Sequence, residues 1–374
     1  MKSFTDLPNF SANLALLCVS VLIAALLLEL GVVFIVGEQA KFSRHVLGAP
    51  FGLRINEPNA TYRHKSADVT IRFKINGQGM RASCDYPYNK PLGVKRILSL
   101  GDSFTVGYEV DNNETFSSVI ERELRSRGVA IEVLNAGVSG YSTAEECLYL
   151  ERELLRYDPD LVLVSFFAND LVDNERTNLF RLERDQLVQS SLTYVPAGWL
   201  GNFLNTNPFF NFLSERSSAF VLIKERATQI LKRDIVEANR RNLRYAISST
   251  PFTHHDAGGQ EGNVVYQRKL ASAIFERMYR TTWGRGLPLL IQSIPLRENN
   301  PNHLVETFPL EDFNVHRRGI WFFPAKRILD PQVGKELLYW EHSQGHWTPY
   351  SHALAGRALA TLIFDEHLLE LKQR

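Results

Sequence analysis

Four short segments place residue types able to make and break an acyl bond at points where the chain turns. Residues 96–100 (RILSL) run into Gly101-Asp102-Ser103, so a hydroxyl follows a turn that glycine permits. Residues 131–135 (IEVLN) run into a loop, Ala136 to Ser142, that enters a helix whose first N–H groups have no intrahelical acceptor. Residues 160–167 (DLVLVSFF) lead to Ala168-Asn169-Asp170, whose side-chain amide is able to donate to a developing oxyanion. Near the C terminus, Gly345-His346-Trp347-Thr348-Pro349 precedes an apolar helix, with Thr348 as N-cap and Pro349 at N1. Taken singly each is turn chemistry, and a lone His beside Trp is more often packed than reactive. Together they supply a nucleophile, Ser103, a general base, His346, and oxyanion donors.

Other polar clusters are less informative. His254, His255 and Asp256 sit in a Gly-rich loop without a partner cluster, which suits solvated side chains better than a metal site. His352, inside the start of the last helix, reads as a packing or capping residue. The three cysteines form no CxxC pattern, and Cys84 and Cys147 read as small buried residues rather than a disulfide.

The elements that must position these residues alternate. A short apolar strand at 96–100 precedes a helix at 115–127 with Phe116, Val119, Ile120 and Leu124 on one face. A second strand, 131–135, precedes a helix from Thr143, where Thr143 and Glu146 have capping-box spacing. The strand at 160–167 is apolar throughout, as a strand covered on both faces should be, and a helix at 265–283 leads to a fourth strand at 287–294. Such alternation predicts an α/β fold, a three-layer α/β/α sandwich around a mostly parallel sheet, with ligands gathered at the carboxyl ends of the strands.

Composition adds limits. With 374 residues, 44% of them hydrophobic, the chain can build a packed core, and a net charge of +1 gives no field to attract a nucleic acid. The mean hydropathy of −0.17 conceals an apolar run at 14–36 in which Glu29 is the only charge. That run matches the ~20 residues a membrane-crossing helix needs, and its length and poor cleavage signature favour an uncleaved signal anchor over a signal peptide. Lys2 before the run and Lys41 and Arg44 after it leave the charge asymmetry weak. A short N-terminal tail and a large C-terminal domain suit an extracytoplasmic catalytic domain, periplasmic in a Gram-negative cell.

The expected division is a tail at 1–13, the transmembrane anchor at 14–36, a linker and β-rich lead-in at 37–92, and a catalytic domain at 93–374. Within the lead-in, residues 69–74 (VTIRFK) alternate apolar and polar before Asn76-Gly77, a strand-and-turn signature. An insertion at about 175–262, expected to cap the sheet, breaks the alternation; it holds the aromatic stretch NPFFNF (207–212) and a basic amphipathic helix around 218–234.

The motifs GDSFT, NAGVSGYST, FAND and GHWTP, in this order, resemble blocks I, II, III and V of the SGNH (GDSL-like) serine hydrolase superfamily. The resemblance runs from about residue 95 to 174 and again from 287 to 365, and the lead-in VTIRFKINGQGMR resembles one that precedes this domain in many bacterial members. It implies that Ser103 is the nucleophile and His346 the base. It also implies that the Ser103 N–H, Gly140 and Asn169 form the oxyanion hole, and that acyl transfer proceeds without a metal or organic cofactor.

One departure matters. The family's acid lies two or three residues before the His, where this chain has Gln344 and Ser343. Three readings follow: Gln344 or a backbone carbonyl orients a Ser/His dyad, Glu341 loops back to serve, or the site is impaired. The expected function is an esterase acting on O-acyl esters, O-acetyl above all, on a surface or exported polysaccharide. The alternatives are an O-acyltransferase with the same site and an impaired glycan-binding or assembly protein.

Overall fold

Residues 161–166 (LVLVSF) are buried at every position, so this strand needs cover on both faces. The computed structural model supplies that cover; it describes residues 7–35, 46–189, 203, 207–224, 226–227, 259–298, 303–342 and 345–371. The chain divides into two compact units. One draws on residues 1–43, 65–67 and 208–252, and the other on 44–64, 68–207 and 253–374.

The larger unit is built on five parallel strands, β5 (Lys95–Leu100), β6 (Ile131–Asn135), β7 (Leu161–Phe166), β10 (Leu289–Ser293) and β13 (Ile320–Pro324), in the order β13-β10-β7-β5-β6. Alternate residues of each strand face opposite layers. On one side Leu98, Leu134, Val162 and Ile291 pack with Cys147 and Leu148 of α4 (Thr143–Arg152) and Leu270 and Ile274 of α7 (Gly259–Trp283). On the other, Ile97, Val133, Leu163 and Leu290 pack with Ile120 and Leu124 of α3 (Phe116–Ser126) and Leu359 and Ile363 of α9 (Pro349–Asp365). The three-layer α/β/α arrangement read from the sequence is therefore present.

Two details depart from the sequence reading. A fifth strand, β13 (IWFFP), completes the sheet at one edge; its five residues are all apolar, but it is only partly buried and only a four-residue helical turn follows it, so it does not continue the strand–helix alternation. The cap of α4 is Ser142, not Thr143: Ser142 accepts from the Glu145 N–H while the Glu145 carboxylate accepts from the Ser142 N–H. Glu146 is buried instead.

Short β elements precede the sheet: β1 (Val46–Gly48) pairs antiparallel with β2 (Arg54–Asn56), and β3 (Thr61–Lys65) pairs with β4 (Thr70–Lys74), whose outer and inner faces alternate as VTIRFK predicts. Between β7 and α7 lie α5 (Asn169–Thr177) and the hairpin β8 (Phe180–Glu183) and β9 (Gln186–Gln189). After β10, β11 (Leu296–Arg297) pairs antiparallel with β12 (Leu304–Val305), and the single turn α8 (Lys326–Leu329) follows β13.

The smaller unit contains α1 (Leu7–Ile35), α6 (Pro208–Arg216) and the helical residues 218–224. Residues Phe10–Ile35 are long and apolar enough to cross a membrane. Lys2, Lys41, Arg44 and the loop holding His254, His255 and Asp256 lie outside the described residues, as does the helix expected beyond residue 227.

Candidate active site

Strands β7, β5 and β6 are neighbours, so their carboxyl ends open side by side at one edge of the sheet. The chain leaves β5 through Gly101, at φ 153°, into the single turn α2 (Ser103–Val106). A Cβ on Gly101 would lie 2.0 Å from Thr105 Oγ1, so the turn closes only around glycine. Asp102 caps it, accepting from the Phe104 N–H at 2.9 Å, and Ser103 opens it. The loop after β6 packs against the back of this turn. Gly137 lies so near that a Cβ would meet the Val106 nitrogen at 2.3 Å, and Asn135 Nδ2 donates to the Thr105 carbonyl at 2.7 Å.

His346 arrives from a different part of the chain. Trp347 bridges to Tyr339, the Trp340 N–H donates to the His346 carbonyl at 2.9 Å, and Thr348 then caps α9 as expected. The imidazole is 5% exposed, with the rings of Phe104 and Tyr108 centred 5.2 and 5.5 Å away. Its Nε2 lies 2.9 Å from Ser103 Oγ, and its Nδ1 lies 3.2 Å from Glu109 Oε2. An ionised carboxylate only accepts, so it places the imidazole proton on Nδ1 and leaves Nε2 to accept from the Ser103 hydroxyl.

Glu109 is the group the sequence reading did not find. It is fully buried and its φ is 69°, a left-handed conformation costing a non-glycine residue about 1–2 kcal/mol. The surrounding loop is held by Arg81, which follows β4. The Arg81 guanidinium donates to the carbonyls of Val106 (2.9 Å), Gly107 (2.8 Å) and Val110 (2.6 Å), and its Nε donates to Asn112 Oδ1 at 2.5 Å. It also stacks 3.7 Å from the Phe73 ring centroid. Burial pulls Arg81 down to about 10, so it stays charged at neutral pH. The lead-in thus fastens the loop that carries the carboxylate.

The other sites named from the sequence fall as follows. Gly140 adopts φ 72°, and its carbonyl accepts from Arg54 of β2, whose guanidinium also pairs with buried Glu145 at 3.2 Å. Asn169 opens α5; its amide donates to Asp173 Oδ2 at 3.2 Å and also hydrogen-bonds the Asp102 carboxyl. Glu341 is exposed, and the Nδ1 it was expected to orient faces Glu109 instead. Gln344 and Ser343 lie outside the described residues.

With the geometry in place, comparison with known proteins is informative. Residues 99–221 match the profile of the GDSL-like Lipase/Acylhydrolase family. This segment is GDSL-like. It holds Ser103, Glu109, Gly140 and Asn169, while His346 lies beyond it. An arylesterase of Vibrio mimicus is 33% identical over 76 residues, which are 20% of this chain and 38% of that protein. The chain therefore spans well under half the length of this curated relative. An acetylxylan esterase from Geobacillus stearothermophilus aligns at TM-score 0.36 and 11% identity, covering 71% of this chain and 92% of that one. A GDSL-like lipase from Bacteroides thetaiotaomicron aligns at TM-score 0.34 and 11% identity, covering 73% and 89%. At such scores these alignments add nothing to the topology read from the strand pairings.

Around the GDSL-like turn lie buried groups with shifted titration. His352 accepts from the Phe116 N–H through Nδ1 at 3.2 Å, capping α3, and burial pulls it down to about 3. Burial likewise pulls His64 down to about 4. Both rings stay neutral near pH 7; of packing or capping, the two roles its position suggested, His352 shows packing, since it is fully buried and Thr348 caps its own helix. Burial pushes Glu146 and Asp170 well above the carboxylate range, reinforced by Asp170 beside Glu146 and by Asp102 beside Asp170; burial also raises Asp102. Asp170 nonetheless accepts from the N–H groups of Thr143 and Phe167, each at 2.9 Å, and so ties the β7–α5 turn to α4.

Cys84 is exposed and Cys147 buried, both free. Among the described residues no cluster of His, Cys, Asp or Glu has the arrangement of a metal site.

Proposed function

We propose that this chain is a membrane-anchored serine esterase that hydrolyses O-acyl esters through an acyl-enzyme on Ser103, with His346 as base and Glu109 as the carboxylate that orients it. The observation that carries this reading is the pair of contacts on one imidazole, 2.9 Å from Nε2 to Ser103 Oγ and 3.2 Å from Nδ1 to Glu109. The GDSL-like segment and the arylesterase relative support ester chemistry. The carboxylate of Glu109 beside His346 Nδ1 supports a working site over an impaired binding protein.

Ser103 Oγ attacks the ester carbonyl carbon as its proton passes to His346 Nε2. The imidazolium is stabilised by Glu109, and the new oxyanion by the Ser103 N–H, the Gly140 N–H and the Asn169 amide. One such donor is typically worth about 2.7–4 kcal/mol in the transition state. Collapse expels the alcohol, which takes the proton from His346. Water then attacks the acyl-enzyme, gives its proton to Nε2, and the carboxylic acid leaves as Ser103 regains its hydrogen.

The substrate class that fits is an O-acetyl ester on a surface or exported polysaccharide, with α1 as an uncleaved anchor and the catalytic unit outside the cytoplasm. The test uses the detergent-solubilised full chain, p-nitrophenyl acetate and an O-acetylated polysaccharide, with Ser103→Ala as control. The expected result is acetate release that depends on Ser103 and is indifferent to added sugar. Product formed only when an acceptor sugar is present would assign the site to acyl transfer, and absence of turnover in folded protein would remove the esterase reading.

A further inference from the structure

In the smaller unit the single charge of the apolar run is fully engaged. Glu29 Oε2 accepts from Ser217 Oγ at 2.7 Å and from the Ala219 N–H at 3.1 Å, while Oε1 accepts from the Ser218 N–H at 2.7 Å. The helical residues 218–224 begin at these N–H groups, so a side chain of α1 caps the second helix of the insertion. Phe210 of α6 stacks on Phe220, ring centroids 6.0 Å apart, and joins the two insertion helices.

The outer surface of this pair is apolar. Phe209 is 63% exposed, Phe212 54% and Ile223 57%, whereas Ser214, Ala219 and Val221 are buried. The Arg216 guanidinium lies 4.9 Å from the Phe212 ring centroid, an aromatic ring beside a cation on an otherwise apolar face. Aromatic rings flanked by arginine are what a bilayer interface accommodates, with the ring at headgroup level and the charge in water.

Depth arithmetic agrees. The 26 residues Phe10–Ile35 span roughly 39 Å at about 1.5 Å per residue, some 9 Å more than a hydrocarbon layer of about 30 Å. Glu29 is six residues, roughly 9 Å, from the end of α1. With the excess length shared between the two ends, Glu29 lies within about 5 Å of the hydrocarbon boundary.

We propose that α6 and residues 218–224 lie in the headgroup layer of the membrane that α1 crosses, with Phe209, Phe212 and Ile223 set among the ends of the acyl chains and Glu29 clipping the pair to the anchor. The insertion is then a lipid-contacting element in addition to any part it has in catalysis. This rests on α1 being an uncleaved anchor, and the test separates the two.

The full chain, with its three native cysteines replaced, is spin-labelled at Phe212→Cys, Ile223→Cys, Ile23→Cys in the middle of α1, or Arg122→Cys on α3. It is reconstituted into vesicles of phosphatidylcholine and phosphatidylglycerol, and the accessibility of each label to oxygen and to a water-soluble nickel chelate is compared. Labels at 212 and 223 should report a depth between those at 23 and 122, and Glu29→Ala should shift both toward the aqueous value while leaving 23 unchanged. Labels at 212 and 223 as aqueous as 122, with 23 in lipid, would overturn the interfacial placement. Unchanged depth in Glu29→Ala would overturn the clip, and an aqueous label at 23 would remove the anchor and the proposal with it.

Discussion

Glu109 Oε2 lies 3.2 Å from His346 Nδ1, a contact between residues 237 positions apart in the chain. It puts a buried carboxylate beside the imidazole although the positions just before His346 carry no acid. The left-handed backbone at Glu109 is a local cost, and a strained buried residue touching the His346 imidazole is the pattern expected where strain serves function.

The first prediction concerns that carboxylate. Glu109→Gln should lower kcat for p-nitrophenyl acetate by about 10³–10⁴-fold with little change in KM, as loss of the orienting acid does in triad enzymes. Glu109→Gly, which suits the positive φ, should match that loss while keeping or raising the melting temperature. Gln344→Asp in the intact chain should leave kcat within a few-fold, since Nδ1 already has its partner.

Arg81 should act on catalysis through the Glu109 loop. Arg81→Ala leaves three carbonyls and the Asn112 amide without their donor, and several buried groups each losing a partner at about 1–3 kcal/mol should cost at least about 3 kcal/mol in denaturant unfolding. Below the new melting temperature the loss should fall on kcat rather than KM. An equal loss of stability with full kcat would show that the loop holds Glu109 without Arg81.

Much of this site is legible in the amino-acid sequence alone, and the limit is physical. Ser103 and His346 are legible because each follows a local pattern, a strand ending in glycine and a helix opening with Thr-Pro. The strand LVLVSF is legible because burial on both faces makes it apolar almost throughout, whereas IWFFP, as apolar in sequence, is followed by only a single helical turn and so falls outside the strand–helix alternation that identifies the others. Glu109 is not legible, because its role depends on a left-handed φ and a partner 237 residues away. The nearest signal is an isolated acid between Tyr108 and Val110, a few residues after Ser103. The cap of α4 is ambiguous for a related reason: Ser142-Thr143 and Glu145-Glu146 offer the same spacing twice, and only packing selects Ser142.

The neutral buried histidines fix an acid limb of stability. His352 titrates at about 3 in the fold against an ordinary 6.5, so between those values the unfolded chain binds a proton that the folded chain does not. Stability therefore falls as pH drops through 6.5 toward 3. His64, held at about 4, adds in the same direction. In calorimetry His352→Asn, whose side-chain oxygen can still accept from the Phe116 N–H, should melt lower at pH 7 but lose less between pH 6.5 and 4 than the parent.

Glu146 works with the opposite sign. Its folded carboxyl is raised well above its usual value by burial and by Asp170, so its contribution is present below about pH 4.5 and is lost as pH rises. Glu146→Gln should therefore gain stability relative to the parent at pH 8 and show no gain at pH 4.5, as measured by urea unfolding at the two values.

The most direct test of the central claim is covalent. The detergent-solubilised full chain is treated with a fluorophosphonate, and the adduct is located and timed by intact and peptide mass spectrometry in the parent, Ser103→Ala and Glu109→Gln. The account predicts one adduct per chain, on Ser103, absent from Ser103→Ala and formed about 10³-fold or more slowly in Glu109→Gln. Labelling elsewhere, or at Ser103 at the parent rate without Glu109, would contradict it.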